Sequence, residues 1–190
     1  MTLSEGTKYN LPNSLKKLEK RAIYYQKKMN KKYVKNAKEQ SKRYQKAKLK
    51  HQKTLRRKNR IKRDFLQKIT TQIVRENSII AWEDCKSKRL MKNHHLSRAI
   101  GESCWYTAKM MLQSKCLMHH AQFILVDPRN ASTQTCAICG HRLTGDEKLS
   151  LGDRIYICPH CGFEEDRDVN AAMNIIKFAL QTLAGAQPSE

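Results

Sequence analysis

Two pairs of cysteines carry the clearest chemistry in this 190-residue chain. Cys136-Ala-Ile-Cys139 and Cys158-Pro-His-Cys161 stand 18 residues apart. Each CxxC turn presents two thiolates on one knuckle, and two knuckles together supply four soft ligands in a tetrahedron, the shell that suits Zn2+. Gly140 and Gly162 follow the knuckles directly, where such turns need a positive φ. His141 and His160 are alternative ligands, but four cysteines already close the shell. A closed shell leaves no position for water, so this zinc would be structural, holding together a ribbon too small to bury a core of its own. A pair of disulfides or a redox CxxC fits the doubled pairing poorly. The other cysteines, Cys85, Cys104 and Cys116, are scattered among apolar residues and form no disulfide framework.

Two acids stand where elements should end. Glu83 follows the apolar run Ser78-Ile79-Ile80-Ala81-Trp82, and Asp168 opens the last helical pattern. A carboxylate at a strand end and another at a helix start can converge on one crevice, and hard oxygen donors there suit Mg2+. Hydrolysis of a phosphodiester by two metal ions needs several such carboxylates. Taken alone the signal is weak: acids at element ends are usually solvated caps, and Asp168 reads as a plain N-cap.

The elements that would position these groups follow from periodicity. Asn13 or Ser14 caps a helix whose stripe runs through Leu15, Leu18, Ala22, Tyr25, Met29 and Tyr33. A second helix starts near residues 39–41, carries Tyr44, Ala47, Leu55, Ile61, Phe65, Ile69 and Ile73, and stops at Asn77. Together they form an antiparallel hairpin. Residues 78–82 and Gln122–Val126 read as buried strands, 86–96 as a polar loop and 97–118 as a helix. A Cys-rich module fills 131–167, and a final helix spans 168–183 with Val169, Ala172, Ile176, Leu180 and Leu183 on one face and Gly185 as its C-terminal stop. Trp82, Trp105, Met110 and Met111 are assigned to the core.

Charge divides the chain sharply. The formal charge is +21, and residues 14–63 account for +20 of it with 22 Lys/Arg against Glu19 and Glu39. A solvated neutral helix would carry both signs; this one-sided excess predicts contact with nucleic-acid phosphates, weak in sequence preference and steep in salt dependence. Lys27, Lys28, Lys31, Lys32, Lys42, Arg43, Arg56, Arg57 and Arg60 are the candidates. Tyr24, Tyr25, Tyr33 and Tyr44 either stack on bases or pack between the helices. There is no apolar run long enough to span a membrane and no secretory h-region, so no membrane partner is expected, and the cysteine usage suits the cytoplasm. No Ser/His/Asp or Cys/His nucleophile arrangement is present.

The stretches Ser132-Thr-Gln-Thr-Cys136-Ala-Ile-Cys139-Gly, Cys158-Pro-His-Cys161-Gly and Asp166-Arg-Asp168-Val-Asn170-Ala-Ala-Met-Asn174-Ile resemble the C-terminus of the TnpB (OrfB) proteins of bacterial insertion sequences, relatives of the type V CRISPR effector nucleases. Ile79-Ile-Ala-Trp-Glu83-Asp resembles the second RuvC motif of that family. The resemblance implies an α/β chain: a partial RNase H-like (RuvC) domain over 1–130 that includes the basic antiparallel helical hairpin 13–77, a four-cysteine zinc ribbon inserted at 131–167, the last RuvC helix at 168–184, and a tail. It implies an RNA-guided DNA endonuclease of transposition with DNA and guide RNA as partners. Glu83 and Asp168 become Mg2+ ligands, with Arg167 and Asn170 supporting them. The family's first RuvC motif lies just upstream of a segment like Thr2-Leu-Ser-Glu-Gly6. Its catalytic Asp and the N-terminal half that grips guide RNA are therefore expected to be missing from these residues. The expectation is a truncated transposase-type protein that binds nucleic acid and is inactive alone. Its rivals are a nuclease completed by an N-terminal fragment that supplies the Asp, a non-catalytic regulator, and a structural RNA-binding protein.

Overall fold

A computed structural model describes residues 1–85, 104–150 and 152–185. The chain divides into two compact units, Asn10–Ile69 and Met1–Tyr9 with Thr70–Glu190.

The first unit is the basic hairpin. Helix α1 spans Ser14–Asn30 and follows Asn13, whose side chain makes no capping bond. Helix α2 spans Lys42–Glu76. Ser41 caps it by accepting a 3.2 Å hydrogen bond from the Tyr44 N–H, and at its end the Asn77 side chain donates to the Ile73 carbonyl over 2.9 Å. The helices are antiparallel, as the contacts show: Glu19 meets Lys58, Tyr25 meets Lys50 and Tyr33 meets Tyr44, falling along α2 as they rise from α1.

The buried stripe of α2 differs from the expected one. In this unit it runs through Ala47, Thr54, Lys58, Lys62, Leu66 and Ile69, while Leu55 is exposed and Ile61 and Phe65 are half-buried. The reason is physical. A lysine stem buries its methylenes as readily as leucine when the ammonium finds a partner, and Lys58 finds Glu19. The Thr54 hydroxyl turns back to the Lys50 carbonyl at 2.8 Å. On α1, Leu15 and Ala22 are buried as expected, but Tyr33 lies past the helix end and is exposed.

In the second unit, strand β1 (Ile79–Glu83) pairs in parallel with β2 (Gln122–Val126), with Ile79 opposite Gln122 and Glu83 opposite Val126. Parallel neighbours need a crossover, and helix α3 (Trp105–Met118) lies on it. The expected loop 86–96 and the first part of the expected helix, 97–103, lie outside the described residues. Ile73, Val74, Ile80, Leu112 and Cys116 form the core, joined by Met1, Leu3, Tyr9, Trp82 and Phe123. Trp105 and Met110, expected inside, are exposed. The face of α3 that turns inward is Ala108, Leu112 and Cys116, spaced by four, and it leaves both outside.

The Cys-rich module folds around an antiparallel pair, β3 (Ile155–Ile157) and β4 (Glu164–Asp166). Helix α4 (Arg167–Gly185) leaves β4 without a loop, includes Gly185 rather than stopping before it, and packs across β1 and β2. Its buried residues are Val169, Asn170, Ala171, Asn174 and Ala179, while Leu180 is exposed. Among the described residues no helix is long and apolar enough to cross a membrane.

Candidate metal centres and nucleic-acid interface

The two knuckles fold alike. The Cys136 N–H donates to the His141 carbonyl and the Gly140 N–H to the Cys136 carbonyl, at 2.8 and 3.0 Å. The Cys158 N–H donates to Phe163 and the Gly162 N–H to Cys158 at the same 2.8 and 3.0 Å. Gly140 and Gly162 take φ of +77° and +74°, a left-handed turn in which a Cβ would be strained. These turns aim four sulfurs inward. All four lie within 4.8 Å of one another, with Cys136 to Cys161 at 3.7 Å and Cys139 to Cys158 at 3.6 Å. Four sulfurs about 2.3 Å from a central zinc form a tetrahedron with edges of about 3.8 Å. The donor set therefore fits Zn2+, which would cross-link the two knuckles.

Burial opposes ionisation of Cys158, yet the backbone N–H groups of Cys161 and His160 outweigh it and bring that thiol down to about 6. A bound metal would displace the protons the cluster still shares. His141 and His160, the alternative ligands, stack on each other with ring centroids 5.6 Å apart, and the metal-fit cluster among the described residues contains only the cysteines. Tyr156, Leu143 and the buried sulfurs of Cys136 and Cys158 make up the small ribbon core.

Glu83 is half-buried at the C-terminal end of β1. One carboxylate oxygen accepts from the Ser132 hydroxyl at 2.9 Å and the other from the Cys85 thiol at 3.0 Å. Burial, and then the adjacent Glu83 charge, push the Cys85 thiol up to about 12, so it remains a donor. Glu83 lines a cavity of about 900 Å3 with Asp84, Trp82, Trp105, Leu3 and, from α4, Ala172, Ile175 and Ile176. Asp168 sits one turn before Ala172, exposed. It is not the N-cap. Asp166 is: its Oδ1 accepts from the Asp168 and Val169 N–H groups at 2.9 and 3.3 Å. The ammonium of Lys8, 2.6 Å away, holds the Asp166 carboxyl below the usual carboxylate range, and those two N–H groups add to the effect. Asp168 thus keeps its carboxylate free of capping duty. The other nearby acid, Asp84, pairs with Lys109 at 2.5 Å, and Asp64 pairs with Lys68 at 2.9 Å on α2.

Asn170 and Arg167, expected as supporting residues, make their hydrogen bonds to the ribbon. Asn170 is wholly buried; its Oδ1 accepts from the Ala137 N–H at 2.9 Å and its Nδ2 donates to the Thr135 carbonyl at 2.8 Å, on either side of Cys136. Arg167 donates to the Ser150 carbonyl at 2.8 Å. Three residues that sequence reasoning passed over complete the arrangement. Asn174 donates to the Ser132 and Thr135 carbonyls at 2.9 and 2.6 Å, Lys177 reaches the Ala137 carbonyl, and Ser132 holds Glu83. A polar pair at i and i+4 inside an otherwise apolar helix was the available signal for Asn170 and Asn174.

On the hairpin, Lys27, Lys28, Lys31, Lys42, Arg43, Arg56, Arg57 and Arg60 are exposed and Lys32 is half-buried. Among the described residues their segment contains two acids. Glu19 is committed to Lys58, and Glu39 to the Gln45 side chain at 3.2 Å.

Residues 105–175 match the family model described as the Cas12f1-like TNB domain. The chain is 39% identical over 121 residues to a protein of Streptomyces pristinaespiralis named as a candidate RNA-guided DNA endonuclease, covering 64% of this chain and 29% of that protein. It is 31% identical over 198 residues to InsQ of Escherichia coli K12, which bears the same description, covering 96% of this chain and 47% of InsQ. It is 33% identical over 127 residues to a TnpB-like protein of Methanocaldococcus jannaschii, covering 66% of this chain and 28% of that protein. The chain thus spans less than half the length of each of these relatives.

Proposed function

The chain belongs to the TnpB (OrfB) family over part of that family's length, and from that premise we propose that it is the nucleic-acid-binding, metal-bearing part of an RNA-guided DNA endonuclease. In this reading β1, α3, β2 and α4 are the part of an RNase H-like (RuvC) domain that these residues supply. The ribbon is a zinc-stabilised insertion before α4. DNA and guide RNA lie against the exposed lysines and arginines of the hairpin.

The observation that carries the reading is the division of labour at the start of α4. Asp166 serves the helix, so Asp168 has no capping role; it lies within electrostatic reach of the Met1 and Lys8 ammonium groups and one turn before Ala172, which lines the cavity with Glu83. Two oxygen ligands of that kind suit a hard divalent cation. Mg2+ held there would polarise a phosphodiester and activate water. The chain's own part is positional. Ser132 and Cys85 donate to both oxygens of Glu83 and fix where that carboxylate points. Asp84 is tied to Lys109 and Asp166 to Lys8 and the helix, so neither serves as a third ligand. Two-ion hydrolysis needs more carboxylates than Glu83 and Asp168 provide. With Glu83 and Asp168 alone, nucleic-acid binding with slow or no cleavage is expected; Glu5, which lines the same cavity as Glu83, is a further carboxylate among the described residues.

Manganese is the probe for the cation site, because its paramagnetic resonance signal drops on binding. Wild type is expected to bind it, with binding lost in Glu83→Gln and in Asp168→Asn. Equal binding in all three proteins would overturn the assignment.

A further inference from the structure

The hairpin carries more than charge. Tyr24 is 51% exposed and Tyr33 57% exposed. Tyr24 lies edge-on to Tyr25 with centroids 5.3 Å apart, and Tyr33 lies against Tyr44 at 6.0 Å. Cations approach these rings. The Lys28 ammonium stands 4.7 Å from the centre of Tyr24, and Tyr25 has the Arg21 guanidinium at 5.7 Å and the Lys50 ammonium at 5.8 Å. The sequence left two roles open for these tyrosines, packing between the helices or stacking on bases. Tyr25 and Tyr44 are half-buried and serve packing. Tyr24 and Tyr33 touch those rings yet leave about half of their own surface exposed.

Resting on the nucleic-acid reading above, we propose that Tyr24 and Tyr33, with the cations around them, form a binding site for a single-stranded polynucleotide. Three points support it. First, a duplex hides its base faces in its own stack and offers a basic surface only phosphates, whereas an unpaired base offers a π-face that an exposed ring can cover. Second, the Lys28 ammonium already sits over the Tyr24 ring, and Arg21 and Lys50 stand at the neighbouring Tyr25. On binding they remain as cation–π partners or turn to the flanking phosphates, and either serves a strand whose base is stacked there. Third, the phosphates of such a strand find Lys27, Lys28 and Lys31 exposed on the stretch of chain between Tyr24 and Tyr33.

The experiment uses the whole zinc-loaded chain and fluorescence anisotropy with four labelled oligonucleotides of one sequence: single-stranded RNA, single-stranded DNA, and the two corresponding duplexes. Both tyrosines are exposed, so their substitution leaves the fold intact, which circular dichroism checks. Tyr24→Ala and Tyr33→Ala should each weaken single-strand binding by at least about fivefold. Tyr24→Phe and Tyr33→Phe should retain it, because the ring and not the hydroxyl stacks. Duplex affinity and the salt slope should be unchanged in all four variants. The two single strands identify which sugar the site takes, and a tyrosine-dependent affinity for either supports the proposal. Alanine variants that bind single strands as wild type does, or that lose single strand and duplex alike, would overturn it while leaving the phosphate-binding reading intact. A wild-type chain that binds none of the four, or binds without salt dependence, would overturn both.

Discussion

Asn170 offers a sharp test of how the ribbon is held. Its side chain is 0% exposed and bridges the Ala137 N–H and the Thr135 carbonyl across the first knuckle. In Asn170→Ala the two backbone groups fare differently. The Thr135 carbonyl keeps the 2.6 Å bond from Asn174. The Ala137 N–H, in a residue that is itself 0% exposed, loses its partner. A buried donor without a partner costs about 1–3 kcal/mol, and the small void adds about 1 kcal/mol, giving about 2–4 kcal/mol in total. For a chain of this size that corresponds to a melting temperature lower by about 5–15 °C. Asn174→Ala should cost less, about 2 kcal/mol: the void adds about 1 kcal/mol and the Ser132 carbonyl loses its bond, but no N–H is stranded and the Thr135 carbonyl keeps its bond from Asn170. The assay is thermal and denaturant unfolding of the zinc-loaded proteins, with zinc release to a chromogenic chelator as a second readout. Release should be faster in Asn170→Ala, since the amide brackets Cys136. If Asn170→Ala unfolds as wild type does, or if Asn174→Ala is the more damaging, the idea that α4 staples the knuckle through Asn170 is wrong.

Other outcomes follow from the same geometry. Removing zinc with a chelator, or replacing Cys136 by Ser, should unfold the ribbon, because four buried residues cannot hold it alone; near-ultraviolet circular dichroism and zinc content report this, and unchanged zinc stoichiometry in Cys136→Ser would refute the four-cysteine shell. Asp166→Ala should destabilise the protein by about 1 kcal/mol through loss of the α4 cap. The Asp166 carboxyl is depressed by Lys8, so its contribution is present above the unfolded carboxyl value, about 3.9, and is lost as pH falls through the lower folded value. The stability gap between wild type and Asp166→Ala should therefore be full at pH 7 and close in strong acid, and a gap independent of pH would contradict the cap. Replacing Arg56, Arg57 and Arg60 together by Gln should weaken duplex binding and flatten the salt slope by up to about 3; an unaltered slope would remove those arginines from the interface.

Much of the arrangement was legible in the residues because it depends on local periods. The stripe Leu15–Ala22, the start of α2 just after residues 39–41, the stop at Asn77 and the strand Gln122–Val126 all read from spacing and turn chemistry. The two CxxC motifs specify their own geometry for the same reason: each knuckle closes its hydrogen bonds within six residues. Where the reading missed, long-range partners decided. Lys58 and Lys62 lie inside α2 rather than Leu55, and at Lys58 the reason is Glu19, 39 residues away. Trp105 and Met110 lie outside because Ala108, Leu112 and Cys116 took the core face.

By itself, the sequence determined which side chains could bind a metal or a phosphate, since thiolate pairing and charge density are properties of short segments. Tertiary structure alone decided their assignments. It gave the cap to Asp166 rather than Asp168, it tied Asn170 to the ribbon backbone, and it aimed Ser132 at Glu83 from 49 residues off. A hydrogen bond depends on distance and angle to one partner, and no local pattern encodes which of several polar neighbours the folded chain brings within about 3 Å.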